Sequence, residues 1–214
     1  MLKSKGDVLI LLWILAMLVL GALLYPHLPE QVPSHWNIKG EVDGYSGPFW
    51  GAFGLPLLTL ACYVGMALLP QIDPRRENYR RFAASYNLFR RGMVLFFSVM
   101  YGVTLLAAFD YDVNVSLIIQ ISVALLFIFI GNMMGRFKFN YFVGIRTPWT
   151  LADEEVWRRT HRVGGRLWVI AGFIGLIAAL LPPPANFILL MGSIGLASIG
   201  TIIYSYYVFR KKTG

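Results

Sequence analysis

Long apolar runs separated by short polar intervals dominate the chain. Six runs qualify as candidate membrane crossings: residues 8–25, 49–69, 93–109, 115–134, 167–181 and 185–208. A helix needs about 20 mostly apolar residues to cross a hydrocarbon core of about 30 Å. The run at 167–181 is the short one. It reaches full length only by starting near Val163, with Arg166 extending its charge back to the headgroups. The pattern predicts an all-α polytopic bundle of six transmembrane helices.

Charge fixes the expected orientation. The intervals 70–92 and 135–166, together with the two tails, hold 18 of the 19 Lys and Arg residues. The other intervals hold only Lys39, against Glu30, Glu41, Asp43, Asp110 and Asp112. Basic intervals face the cytoplasm, so both termini are expected inside, and residues 26–48 outside. If 167–181 did not cross, Arg210, Lys211 and Lys212 would end outside, which makes six the self-consistent count. The first run follows Lys3 and Lys5 and has a poor small-residue cleavage site, so it reads as an uncleaved signal anchor. The expected division is a two-helix unit at 1–70 with an external loop, then a four-helix unit at 71–214.

Composition agrees. Charged residues make up 14% of 214, against about 25% in soluble domains, and mean hydropathy is +0.61. The net charge of +8 is accounted for by orientation and calls for no direct nucleic-acid contact. Lipid is the partner that such spans require, and the location is the plasma membrane, multi-pass. Cys62 lies alone within a span and reads as a small apolar side chain. Ser193, Ala197 and Thr201, and likewise Gly131 and Gly135, recur at four-residue spacing. Such spacing suits close helix packing within the bundle, with a homo-oligomer as the alternative.

No Asp, Glu, Lys, Arg or His falls in the central part of a span. Proton-coupled transport and voltage sensing depend on such residues. HExxH, GxSxG, Walker A and CxxC patterns are absent, so no catalytic residues and no cofactor are assigned.

Two intervals carry enough pattern to be functional. In 26–48, Pro29 and Pro33 stiffen the backbone, Asp43-Gly44 signals a turn and Gly40 permits a reversal. A small ordered external loop follows, either a purely structural cap or one that also binds a ligand. His27, Glu30, His35, Glu41 and Asp43 match no metal-ligand spacing, so no metal is assigned. In 135–166, Thr150 with Asp153 resembles a capping box, predicting a helix that begins at Thr150. Glu154 with Arg158, and Glu155 with Arg159, stand four apart in the favourable order. Trp157 and His161 share a face, and Gly164-Gly165 should loosen the helix beyond. The plain expectation is a cytoplasmic interfacial helix over 150–161, with Trp157 in the headgroups and arginines at lipid phosphates. A protein-docking surface is the other reading.

These two intervals also resemble a known family. Pro33-Ser34-His35-Trp36-Asn37, with Gly40 and Asp43-Gly44-Tyr45, is similar to the short N-terminal domain of SdpI-type membrane proteins. Gly144-Ile145-Arg146-Thr147-Pro148-Trp149-Thr150 and Glu155-Val156-Trp157-Arg158-Arg159-Thr160-His161 resemble their C-terminal signature. The resemblance implies a bacterial protein of immunity and signalling, with an extracellular peptide toxin and a small cytoplasmic DNA-binding repressor as partners. The residues expected to meet an external ligand are His35, Trp36, Asn37, Gly40, Asp43, Gly44 and Tyr45. Those expected to meet a cytoplasmic partner are Asn140, Arg146, Thr147, Trp149, Trp157, Arg158 and His161. A transporter or lipid-handling protein is the rival reading, and a membrane enzyme comes third.

Overall fold

The computed structural model describes residues 5–213. Among them are eight helices and one two-stranded sheet: α1 (Lys5–Leu24), β1 (Val32–Trp36), β2 (Val42–Ser46), α2 (Pro48–Ile72), α3 (Arg76–Arg81), α4 (Ala83–Ala108), α5 (Val115–Met134), α6 (Pro148–Ala152), α7 (Glu154–Ala178) and α8 (Ala185–Thr213). Five of the helices, α1, α2, α4, α5 and α8, are long and apolar enough to cross a membrane. The expected crossing at 167–181 falls in the C-terminal part of α7, whose first half is charged.

The chain packs as two compact units, Met1–Leu68 with Arg90–Ser122, and Leu69–Phe89 with Val123–Gly214. In the first unit, Ile14, Tyr63 and Val94 form one buried cluster and Met17, Tyr101 and Leu105 another. The Tyr101 hydroxyl donates to the Ala52 carbonyl at 3.0 Å. Trp13 Nε1 donates to Ser98 Oγ at 2.9 Å, joining α1 to α4.

The same unit holds an ion pair that no spacing rule announced. Asp7 and Arg90 lie 3.4 Å apart with side chains 8% and 2% exposed. Tyr63 donates to Asp7 Oδ1 at 2.7 Å, and the Arg90 guanidinium lies 4.2 Å from the Tyr63 ring centre. Asp7 lies in the first turn of α1 and Arg90 about two turns into α4, so neither is central to its helix. What sequence reading missed is that they meet. Removing one partner of a buried ion pair strands the other charge, typically at about 3–5 kcal/mol.

In the second unit α7 and α8 pack side by side, joined through Pro182-Pro183-Pro184, as that short connection requires. Ser193 Oγ reaches the Ala171 carbonyl at 3.2 Å. Gly164 and Gly165 do not loosen α7, which runs unbroken to Ala178. A Cβ on Gly165 would lie 2.6 Å from the Gly131 carbonyl oxygen, so these glycines permit close approach of α5 and α7.

Candidate functional site

The external-loop candidate is ordered, as expected, but it is an antiparallel hairpin of β1 and β2 that reverses at residues 37–41; Asp43-Gly44 forms no turn and lies within β2. Val32 is fully buried, and a Cβ on Gly51 would come 2.8 Å from its methyl groups. This contact pins the hairpin to the start of α2. At the tip, Asn37 Oδ1 accepts from Lys39 N–H (2.8 Å) and Glu41 N–H (3.1 Å), while its Nδ2 donates to Glu41 Oε2. Gly40 adopts φ +85, and a side chain there would strike Ser116 of α5. Asn37, Gly40 and Gly44 therefore shape the turn and strand pairing and offer a ligand little side chain. Gly44 lies across from His35. His35 Nδ1 and Asp43 Oδ1 meet at 2.5 Å on the exposed face. Tyr45 is 56% exposed and Trp36 half-buried. Beside the hairpin, Phe49 and Trp50 are also outward, at 48% and 63%.

The second candidate, residues 137–161, folds into a knot of buried polar contacts. Asn140 is fully buried. Its Oδ1 accepts from Phe142 N–H and Val143 N–H, and its Nδ2 donates to the Lys138 and Val143 carbonyls. Tyr79 donates to both Asn140 Oδ1 (3.3 Å) and Asp73 Oδ2 (3.1 Å), and Tyr141 N–H donates to that same carboxylate. Burial, then the Asp73 charge, pushes the Tyr79 phenol far above its ordinary range, so it remains a donor. Arg75 stacks over Phe139 at 3.7 Å.

Trp157 is 2% exposed and donates through Nε1 to the Phe137 carbonyl at 3.0 Å. It stacks on His161 at 4.0 Å. His161 Nε2 accepts from Ile145 N–H (2.9 Å), which leaves Nδ1 protonated and donating to the Trp157 carbonyl (2.8 Å). Burial pulls the His161 pKa down to about 4. Gly144, at φ +121, passes directly over this ring, and a Cβ would collide with Nε2.

Several expectations change here. The helix does not begin at Thr150. Thr147 caps α6, accepting from Thr150 N–H at 3.2 Å while Thr150 Oγ1 accepts from Thr147 N–H at 2.9 Å. Pro148 occupies the first helical position, and that Thr-Pro pair was the readable signal. Asp153 then caps α7 through Glu155 N–H and Val156 N–H. A hydrogen bond from Lys212, then the one from Val156, holds its carboxyl below the usual range. The separate interfacial helix with a lipid-anchored Trp157 is corrected as well. Trp157 and His161 face protein because their shared side of α7 covers the 137–145 loop. Asn140, Thr147, Trp157 and His161 are thus buried supports and unavailable to a partner. Arg146 and Arg158 are exposed, and Trp149, half-buried, packs on Tyr206. Of the two predicted charge pairs, Glu155–Arg159 forms at 2.6 Å; Glu154 and Arg158 remain apart.

Comparison with known proteins finds likenesses that cover both candidates. Residues 136–205 match the SdpI/YfhL protein family, and residues 12–60 match a domain of unknown function, DUF1648. The chain is 27% identical over 210 residues to the Immunity protein SdpI of Bacillus subtilis (strain 168), covering 98% of this chain and 99% of the relative. The chain is thus similar to SdpI-type proteins over nearly its whole length. It is accordingly a multi-pass protein of the bacterial cell membrane. The family match at 136–205 contains the polar knot of Asn140, Thr147, Trp157 and His161, and the 12–60 match contains the hairpin. No solved structure matches the chain.

Proposed function

We propose that the protein is a membrane immunity protein. It protects the cell against a secreted antimicrobial peptide by binding it at the outer face, through the β1–β2 hairpin. The carrying observation is the collinear likeness to an immunity protein over 98% of the chain, hairpin included. In this reading the chain crosses six times, α7 supplying the short crossing, with both termini in the cytoplasm. The exposed Tyr45, the half-buried Trp36 and the His35–Asp43 pair supply the contact surface. Aromatic side chains of this kind dominate binding hot spots. Glu41 and Asp43 steer a cationic peptide. On the cytoplasmic face, Arg146, Arg158 and Trp149 offer docking groups for a small DNA-binding repressor, held in place by the buried knot beneath them. No catalytic step is part of the proposal.

The test is survival of a sensitive cell expressing the protein, challenged with the peptide encoded beside its gene. Wild-type protein is expected to protect. Trp36→Ala, Asp43→Asn and Tyr45→Ala, each at wild-type membrane level and melting temperature, are expected to lose protection. Full protection by all three would reduce the hairpin to structure and move the binding site into the helices.

A further inference from the structure

Within the second unit, a groove of about 450 Å³ opens where the end of α5 passes α7. Gly131, Gly135 and Gly165 form its floor, Arg162 and Arg166 rise from one wall, and Val169 and Ile170 continue it along α7. The close approach at Gly131 and Gly165 brings the two helices together. Beside Gly135 nothing lies within 4 Å of where a Cβ would stand, so the groove is open there.

Charge is unbalanced in this groove. Arg162 and Arg166 stand one helical turn apart on the same face, both exposed. Among the described residues neither has a hydrogen-bond or carboxylate partner, and no acid lines the groove. Arg159, on the neighbouring face, is by contrast neutralised by Glu155. His161 touches the groove, yet both its ring nitrogens are engaged by Ile145 and Trp157, so it is no ligand. From Arg162 to Ile170 the wall rises about 12 Å along the helix axis. Its Arg162–Arg166 end is cationic and its Val169–Ile170 end apolar. That gradient matches an amphiphile carrying a negative headgroup, in a protein already immersed in such molecules.

We propose that this groove seats an anionic phospholipid, its phosphate between Arg162 and Arg166 and the start of an acyl chain against Val169 and Ile170. A zwitterionic headgroup would add an ammonium beside two unpaired guanidiniums, so the site discriminates against it. Basic pockets between membrane helices are a recurrent form of lipid headgroup site.

The test is native mass spectrometry of the purified full chain in detergent, titrated with phosphatidylglycerol or with phosphatidylcholine of identical chains. Wild-type protein should retain phosphatidylglycerol preferentially. Arg162→Gln with Arg166→Gln should weaken that binding by about 30-fold, about fivefold for each arginine. Arg80→Gln with Arg81→Gln removes the same charge from exposed positions on α3 and should leave binding unchanged. Gly135→Leu, whose Cβ would enter space with nothing within 4 Å, should weaken binding at unchanged net charge. Equal losses in the two arginine pairs would overturn the proposal in favour of general surface charge. Equal retention of phosphatidylcholine, or wild-type binding by Gly135→Leu, would overturn it too.

Discussion

Lowering the pH should destabilise the fold through one side chain, His161. Its ring is 1% exposed, and the protonated form has no place: Nε2 already accepts the Ile145 N–H and Nδ1 already donates to Trp157. In the folded protein its pKa falls to about 4, from an ordinary value of 6.5. Because the folded value is the lower one, the unfolded chain takes up the proton first as pH falls. The contribution of a neutral His161 is therefore complete above pH 6.5, declines as pH drops, and is gone near pH 4. At 1.36 kcal/mol per unit, the loss is about 3 kcal/mol across that window. Asp153, also held low, adds its own loss only below its ordinary value of 3.8, outside the window. The assay is unfolding of the purified protein in detergent between pH 7 and 4, comparing wild type with His161→Gln. The glutamine carbonyl can still accept the Ile145 N–H but cannot titrate. Wild type should lose stability over this range by about 3 kcal/mol more than the variant. Parallel profiles for the two proteins would refute the buried, neutral histidine.

Two further outcomes follow from burial and charge. Trp157→Ala should cost about 3–5 kcal/mol by opening the core of the knot, whereas Arg158→Ala, next to it but exposed, should stay within about 0.5 kcal/mol; chemical unfolding compares them directly. For the crossings, a Cys62→Ser background carrying Lys39→Cys should label from outside intact cells, and one carrying Arg80→Cys only after permeabilisation; the reverse would invert the topology.

Apolar run length was enough to locate α1, α2, α4, α5 and α8, because a span needs little beyond continuous hydrophobicity. The external loop was legible only in part: Pro33 stiffens the backbone and Gly40 supplies the positive φ of the reversal, but Asp43-Gly44, read as a turn, pairs within β2 because its partner strand lies outside any local signal. Failure came where an outcome depended on which surface lies opposite. Trp157 and His161 were placed on one helical face correctly, yet the sequence reading turned that face to lipid. Periodicity carries no record of the 137–145 loop that covers it. Thr150 was misread as a cap because Asp153 stands three residues on, although Thr147-Pro148 offered the stronger start and Asp153 served the next helix. The Asp7–Arg90 contact joins residues 83 positions apart, beyond any spacing rule.

The central claim, recognition of a peptide at the hairpin, is tested most directly by binding. The purified protein in lipid nanodiscs would be titrated with the secreted peptide encoded beside its gene, alongside Tyr45→Ala. Tyr45 is more than half exposed and belongs to no buried cluster, so its loss should leave the fold intact. The account predicts saturable binding by wild type and a Kd raised by about 30-fold or more in the variant, the scale of a hot-spot residue. Unchanged affinity in Tyr45→Ala, Trp36→Ala and Asp43→Asn, or no binding by the wild-type protein, would contradict it.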